Sequence, residues 1–145
     1  MKYLKDFDNI VRKIVKTKYQ YCYICGEYLP ENQRTVGHVF SRRNLITRWD
    51  LNFIRMECFK CNCLFDQNNK KFKAKLAEEI GKYNWQAMKN YSTLTVKNKT
   101  EFQIKTAECL LNECENLELT CQANRLRKII KELKGEKNEI LERLR

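Results

Sequence analysis

The sequence predicts a small α+β fold, in which four cysteines hold a β-hairpin to the helix that follows it. Three observations predict this fold. The chain has 145 residues, close to the average for one domain. Two Cys-x-x-Cys pairs enclose a segment with the two-residue periodicity of strands. On both sides of that segment, apolar residues recur at helical spacing.

The segment before the first cysteine pair predicts a short amphipathic helix within residues 1–20. Asp6 and Asp8 interrupt the basic character that a targeting peptide would have, so a packing helix is favoured. Its apolar residues recur at the spacing of one helix face: Phe7, Ile10, Val11, Ile14 and Val15.

Residues 21–81 form the predicted core of the domain. Alternating apolar residues predict a strand over residues 35 to 40 and a hairpin partner over residues 51 to 56, joined by a long basic connection. After the second cysteine pair the spacing becomes helical, and Gly81 is predicted to end that helix.

Residues 82–145 are predicted to be mainly helical after a polar link over residues 82 to 97. Two interpretations of the last helix remain open: it packs on its own domain, or it forms an arm through which two copies make a homodimer. Gly135 and Lys137 interrupt its apolar stripe, which consists of Leu119, Ala123, Leu126, Ile130, Leu133, Ile140 and Leu144.

The cysteine pairs have the spacing of a structural zinc site with four thiolate ligands, Cys22, Cys25, Cys58 and Cys61. The loop between the pairs is about twice the roughly 15 to 20 residues of a zinc ribbon, so it carries an insertion. Disulfides of a secreted protein are less favoured, because no apolar signal segment opens the lysine-rich chain. The remaining cysteines lack ligand spacing and are expected to be small buried apolar residues: Cys63, Cys109, Cys114 and Cys121.

The charge of the chain predicts a polyanionic partner such as DNA. There are 29 Lys and Arg against 18 Asp and Glu, a formal net charge of +11. Four thiolates with one Zn²⁺ would lower this only to about +9. No apolar run approaches the roughly 18 residues of a membrane span, and we expect a soluble intracellular protein.

The only histidine, His38, lies in the loop between the cysteine pairs. A neutral imidazole can accept a proton near pH 7, which makes His38 a candidate general base of a metal-dependent nuclease. Two alternatives are that His38 replaces one cysteine on zinc, or that it only packs on the hairpin. Four cysteines already saturate tetrahedral zinc, which favours the base.

Four ordered blocks of the sequence resemble the phage NinG/Rap recombination nucleases and, more distantly, the recombination endonuclease VII group and other HNH nucleases. The blocks are Cys22-x-x-Cys25-Gly26, Gly37-His38-Val39-Phe40-Ser41-Arg42-Arg43, Thr47-Arg48-Trp49 and Cys58-x-x-Cys61-Asn62. They cover residues 22 to 62, and the rest of the chain resembles the family loosely. The resemblance implies a ββα-metal (HNH, or His-Me finger) core and a DNA endonuclease that hydrolyses phosphodiester bonds. It further implies branched recombination substrates, such as four-way junctions or flaps, in the host cytoplasm if the chain is phage-encoded.

The resemblance also implies roles for single residues. His38 matches the general base, and Asn62, directly after Cys61, matches a ligand of a catalytic Mg²⁺ or Mn²⁺. Gly37 departs from the Asp that many HNH enzymes place before the base. This leaves the second protein ligand open. On helix geometry Asp66 is the best substitute, because it lies four residues after Asn62 and about 40° around the same helix; the alternative is an ordinary exposed helix residue.

The basic connection of the hairpin supplies the remaining candidates. Asn52 resembles the middle Asn of an HNH motif, which implies that it fixes the hairpin loop through side-chain hydrogen bonds; the alternative is an ordinary turn residue, since Asn is common in turns for the same reason. Trp49 is expected to pack in the protein or stack on DNA. Arginine side chains beside the site are predicted to contact DNA phosphates, with an ordinary solvated loop as the alternative. These arginines are Arg42, Arg43 and Arg48.

Two other functions remain open. The chain could be a non-catalytic zinc module that binds DNA or a protein partner, with Gly37 marking a decayed site. It could also be a site-specific HNH nuclease.

Overall fold

A computed structural model describes the backbone of residues 1–63 and 65–143, and their side chains except at positions 65–68, 140, 141 and 143. Within these residues there are seven α-helices and one two-stranded antiparallel sheet, which confirms a small α+β fold. The chain divides into two compact units, residues 15–95 and residues 1–14 with 96–145. None of the helices in the described part of the chain has the length and apolar character needed to cross a membrane.

The hairpin is formed by β1 (Arg34–His38) and β2 (Ile54–Cys58), and His38 pairs with Ile54. β1 ends at residue 38 instead of 40, and the next two residues, Val39 and Phe40, pack in the core. β2 begins at residue 54 instead of 51, because Leu51–Phe53 forms a 3-10 turn. The helices are α1 (Leu4–Lys18), α2 (Leu45–Arg48), α3 (Phe59–Cys63), α4 (Phe65–Ile80), α5 (Lys82–Ser92), α6 (Lys99–Asn116) and α7 (Thr120–Arg143).

The hairpin and the helices after it share one apolar core in the unit of residues 15–95. Val39 and Phe53, from the two sides of the hairpin, are buried with Phe72 and Leu76 of α4. α4 ends at Ile80, before a glycine with φ +82°, as predicted. This core holds α4 against the hairpin. It therefore also sets the positions of residues at the end of β1 and at the start of α4.

The predicted polar link is wrong over residues 82–92, which form α5. Trp85 and Met88 lie three residues apart and pack against the core, while Tyr91 stacks on Phe53 with ring centroids 5.9 Å apart. Apolar residues at this spacing share one helix face. The rest of this segment is polar. The spacing of Trp85, Met88 and Tyr91 is therefore the main feature of the sequence that indicates a helix.

The other unit contains α6 and α7, which bury their facing sides against each other. Leu126 and Leu133 of the predicted seam are buried within the chain, and Ile129, not Ile130, is the fully buried isoleucine. The homodimer remains a prediction, but these two leucines are already covered. Ile140 and Leu144 lie outside the described side chains.

The prediction of buried spare cysteines is correct for Cys114 but wrong for the other three. Cys114 belongs to the inward stripe of α6, whereas Cys109 and Cys121 are exposed on α6 and α7. Cys63 is exposed at the end of α3. A packed helix buries one stripe only, so cysteines outside that stripe remain exposed.

Candidate functional site

Four cysteine sulfur atoms form a compact cluster between the turn at residues 22–26 and the end of the hairpin. The Sγ atoms of Cys22, Cys25, Cys58 and Cys61 all lie within 4.8 Å of one another, and Cys25 and Cys58 are 4.0 Å apart. Zinc–sulfur bonds of about 2.3 Å in a tetrahedron place sulfur atoms about 3.8 Å apart. The cluster therefore has the donors and the size to hold a zinc ion.

Backbone amides around the cluster point at its sulfur atoms. The N–H of Cys58 donates to Cys22 Sγ, and the N–H of Cys61 donates to Cys58 Sγ, each at 3.3 Å. Gly26 closes the first turn at φ +77°, and its N–H donates to the Cys22 carbonyl at 2.9 Å. Hydrogen bonds to sulfur favour the thiolate over the thiol, which is the form that binds metal.

Burial and hydrogen bonding act in opposite directions on these thiols. Burial raises the pKa of Cys22, but the backbone hydrogen bonds outweigh burial and lower it below its usual value. Burial raises the pKa of Cys61 strongly, and the neighbouring sulfur atoms raise it further. Four thiolates this close together repel one another, so a bound divalent cation would stabilise the cluster.

His38 lies at the end of β1, half-buried and outside the cysteine cluster found among the described residues. Its Nε2 donates a hydrogen bond to the Arg48 carbonyl oxygen, with the two atoms 3.1 Å apart. A carbonyl oxygen only accepts, so this bond fixes the proton on Nε2. In the neutral ring the basic lone pair is then on Nδ1.

The start of α4 is tied to the residue after His38. Nδ2 of Asn69 donates to the Val39 carbonyl oxygen at 3.1 Å. Asn62 is half-buried on α3, directly after Cys61. Asp66, the predicted substitute ligand, falls among the side chains outside the described residues.

We expect Asn69→Ala to be more destabilising than Asn84→Ala by about 1 kcal/mol. Both variants remove an amide-to-carbonyl hydrogen bond from a helix and gain the same helix propensity. The bond of Asn69 is partly buried, whereas that of Asn84 to the Ile80 carbonyl is exposed. Urea unfolding of the two variants measures the difference, and equal stabilities would mean that the Asn69 bond contributes nothing.

Sequence reasoning missed Glu57, a buried carboxylate in β2. Its side chain is directed at Gly37 of β1, where a Cβ would lie less than 3.0 Å from the carboxylate carbon and both oxygens. Glu57 is 5% exposed, and burial raises its pKa to about 7. The available signal was a charged residue inside an apolar strand, immediately before Cys58 of the cysteine cluster.

The basic connection contains both exposed and packed side chains. Arg42 and Arg43 are exposed, while the guanidinium of Arg48 lies 5.3 Å from the ring centre of Trp49. Trp49 is 3% exposed and is therefore part of the protein interior. Nδ2 of Asn52 donates to Asp50 Oδ1 at 2.9 Å. This last bond lies within the connection that precedes β2.

Comparisons with known proteins give no identification. No protein-family model matches this sequence, and no curated protein or solved structure matches it either. A functional assignment therefore depends on the residues of the site and on the motif resemblance described above.

Proposed function

We propose that the protein is a zinc-stabilised, metal-dependent DNA endonuclease with a ββα-metal core. The observation that carries the proposal is the position of His38 on a hairpin whose second strand ends at a zinc ligand. β2 ends at Cys58, and Asn62 follows the last cysteine on the next helix. This order of base, zinc ligands and Asn agrees with the NinG-like motif resemblance.

His38 is the proposed general base. Its Nε2–H bond to Arg48 orients the ring and leaves Nδ1 as the basic nitrogen of the neutral form. In the proposed reaction Nδ1 takes the proton of the attacking water. A positioned base of this kind contributes roughly 10² to 10⁴ in rate.

Asn62 is the proposed amide ligand of the catalytic cation. When bound, Mg²⁺ or Mn²⁺ supplies polarisation of the phosphate and stabilisation of the leaving oxygen. Amide oxygens suit hard divalent cations, whereas the four cysteines suit zinc. The two metals would therefore occupy chemically distinct sites in the same unit.

Branched recombination DNA is the proposed substrate class. The formal charge of +11 favours phosphate contacts, and the exposed Arg42 and Arg43 lie in the loop that follows His38. Contacts to phosphates carry no sequence information, so selectivity would come from DNA shape. The choice of junctions or flaps rests on the motif resemblance.

We expect the double variant Arg42→Ala with Arg43→Ala to weaken DNA binding uniformly across sequences. Its plot of log affinity against log salt should be flatter by roughly two, since each phosphate contact contributes about 0.9 to the slope. Fluorescence anisotropy between low and near-physiological salt measures this. Lys128→Ala with Lys131→Ala, two exposed lysines of α7, removes the same charge as a control. An equal change of slope in both variants would mean a general charge effect.

Cleavage of a labelled four-way junction, beside linear duplex of the same sequence, tests the proposed function. Zinc-loaded protein should cut the junction near its branch point with Mg²⁺ or Mn²⁺, and EDTA should abolish the products. Cleavage that follows sequence in both substrates would favour a site-specific nuclease. Binding without cleavage under all these conditions would favour a non-catalytic zinc module.

A further inference from the structure

The carboxylate of Glu57 has no hydrogen-bond or ion-pair partner in the described part of the chain, and its oxygens keep some contact with solvent, since they are not among the fully buried unpaired polar atoms there. Glu57 as a whole residue is 5% exposed to solvent. An unpaired carboxylate is costly at this depth, so buried charged groups in proteins are normally paired or coordinate a metal. We therefore expect the Glu57 carboxylate to bind a ligand.

The Glu57 carboxylate occupies the space that a side chain at position 37 would fill. A Cβ on Gly37 would overlap the carboxylate carbon and both oxygens. Gly37 pairs with Arg55 and Glu57 pairs with Thr35, so positions 37 and 57 lie on the same face of the hairpin. Glycine in β1 thus makes room for a carboxylate that β2 supplies.

The arginine nearest in register does not neutralise this carboxylate. Arg55 shares that face of the hairpin, but its Nη1 donates to the carbonyls of Leu51, Asn52 and Ile54 at 3.0 to 3.2 Å. Its Nη2 is 3.5 Å from a carboxylate oxygen of Glu79. The guanidinium is therefore engaged elsewhere.

We infer that Glu57 is an oxygen ligand of the divalent cation at the proposed nuclease site, in place of the side chain that Gly37 lacks. The inference rests on the proposed function, and it names a residue of that site. Carboxylate oxygens are preferred ligands of Mg²⁺ and Mn²⁺. His38 follows Gly37 in β1, and its proposed task is to take a proton rather than to bind the cation, so its role can be tested separately from that of Glu57.

Mn²⁺ binding to zinc-loaded protein, followed by EPR as loss of the free-ion signal, tests this inference without an activity assay. We expect Glu57→Gln to weaken Mn²⁺ binding at least about tenfold, while zinc content stays unchanged. Glu78→Gln removes an exposed carboxylate of α4 and should bind Mn²⁺ like the wild type. His38→Ala should also retain Mn²⁺.

Moving the carboxylate to the other strand is a second test. Gly37→Asp alone places a Cβ in occupied space and should lower stability. Combined with Glu57→Ala, the same Asp gains room and should recover most of the Mn²⁺ affinity lost in Glu57→Gln. This double variant decides the inference if Glu57→Gln fails to fold. Glu57→Gln should fold, however, because it removes an unpaired buried charge.

Wild-type Mn²⁺ affinity in a folded Glu57→Gln variant would overturn the inference, as would a wild-type protein that binds no Mn²⁺. Neither result would bear on the zinc cluster or on His38 as the base, which are tested separately by zinc content and by DNA cleavage. Conversely, a wild-type protein that binds Mn²⁺ through Glu57 but cuts no DNA would contradict the nuclease proposal alone. The two proposals can therefore fail separately.

Discussion

Replacing Cys58 by serine is expected to release zinc and to abolish cooperative unfolding of the unit formed by residues 15–95. Cys58 ends β2, and its sulfur lies beside those of Cys22, Cys25 and Cys61. A sheet of two short strands buries too little surface to be stable alone. Zinc contributes on the order of 10 kcal/mol to folding in small zinc peptides, so the loss should exceed that of any single core substitution.

Zinc content by mass spectrometry and thermal unfolding by circular dichroism measure this effect together. Cys63→Ser is the matched control, because Cys63 lies on the same short helix as Cys61 but is exposed and outside the cluster. It should keep both zinc and the wild-type melting curve. A Cys58→Ser protein with native dichroism and unchanged melting would show that the cluster does not support the fold.

His38→Ala is expected to lower the single-turnover rate of DNA cleavage by about 10² to 10⁴. Zinc content and DNA affinity should stay near wild type, because His38 lies outside the cysteine cluster and its proposed role is in the chemical step. The variant also loses the hydrogen bond to the Arg48 carbonyl. A modest change in stability of about 1 kcal/mol should accompany the loss of rate.

His38→Gln separates base chemistry from the hydrogen bond. Glutamine retains a side-chain N–H for the Arg48 carbonyl but cannot accept a proton near neutral pH. Both variants should be equally slow if His38 is the base. Retention of cleavage in His38→Gln would show that the histidine acts only through its hydrogen bond to the Arg48 carbonyl.

Asn62→Ala should behave differently from the His38 variants. Its cleavage should be partly rescued by high Mn²⁺, because its proposed role is to bind the cation.

The cysteine cluster was the part of the site most open to prediction from sequence. Ligand spacing is a local property, so Cys22 with Cys25 and Cys58 with Cys61 could be paired before any fold was known. The same holds for α1, whose apolar stripe marks its helix. Strand ends were less predictable, because Phe40 continues the alternation of Val36 and His38 but lies beyond the end of β1, where it packs against the core.

Contacts between distant residues could not be read from periodicity. The approach of Glu57 to Gly37 depends on the register of the two strands, and one residue of slip would place their side chains on opposite faces. The bond between Asn69 and Val39 likewise depends on how α4 crosses the hairpin. Only tertiary structure supplies such information.

Nicking of supercoiled plasmid by zinc-loaded wild-type protein is the most direct test of whether the protein is a metal-dependent nuclease with His38 as its base. We expect nicked circles with added Mg²⁺ or Mn²⁺, none with EDTA, and none above background with His38→Ala at the same zinc content. Nicking that persists in EDTA, or that is as fast in the His38→Ala protein, would contradict this assignment.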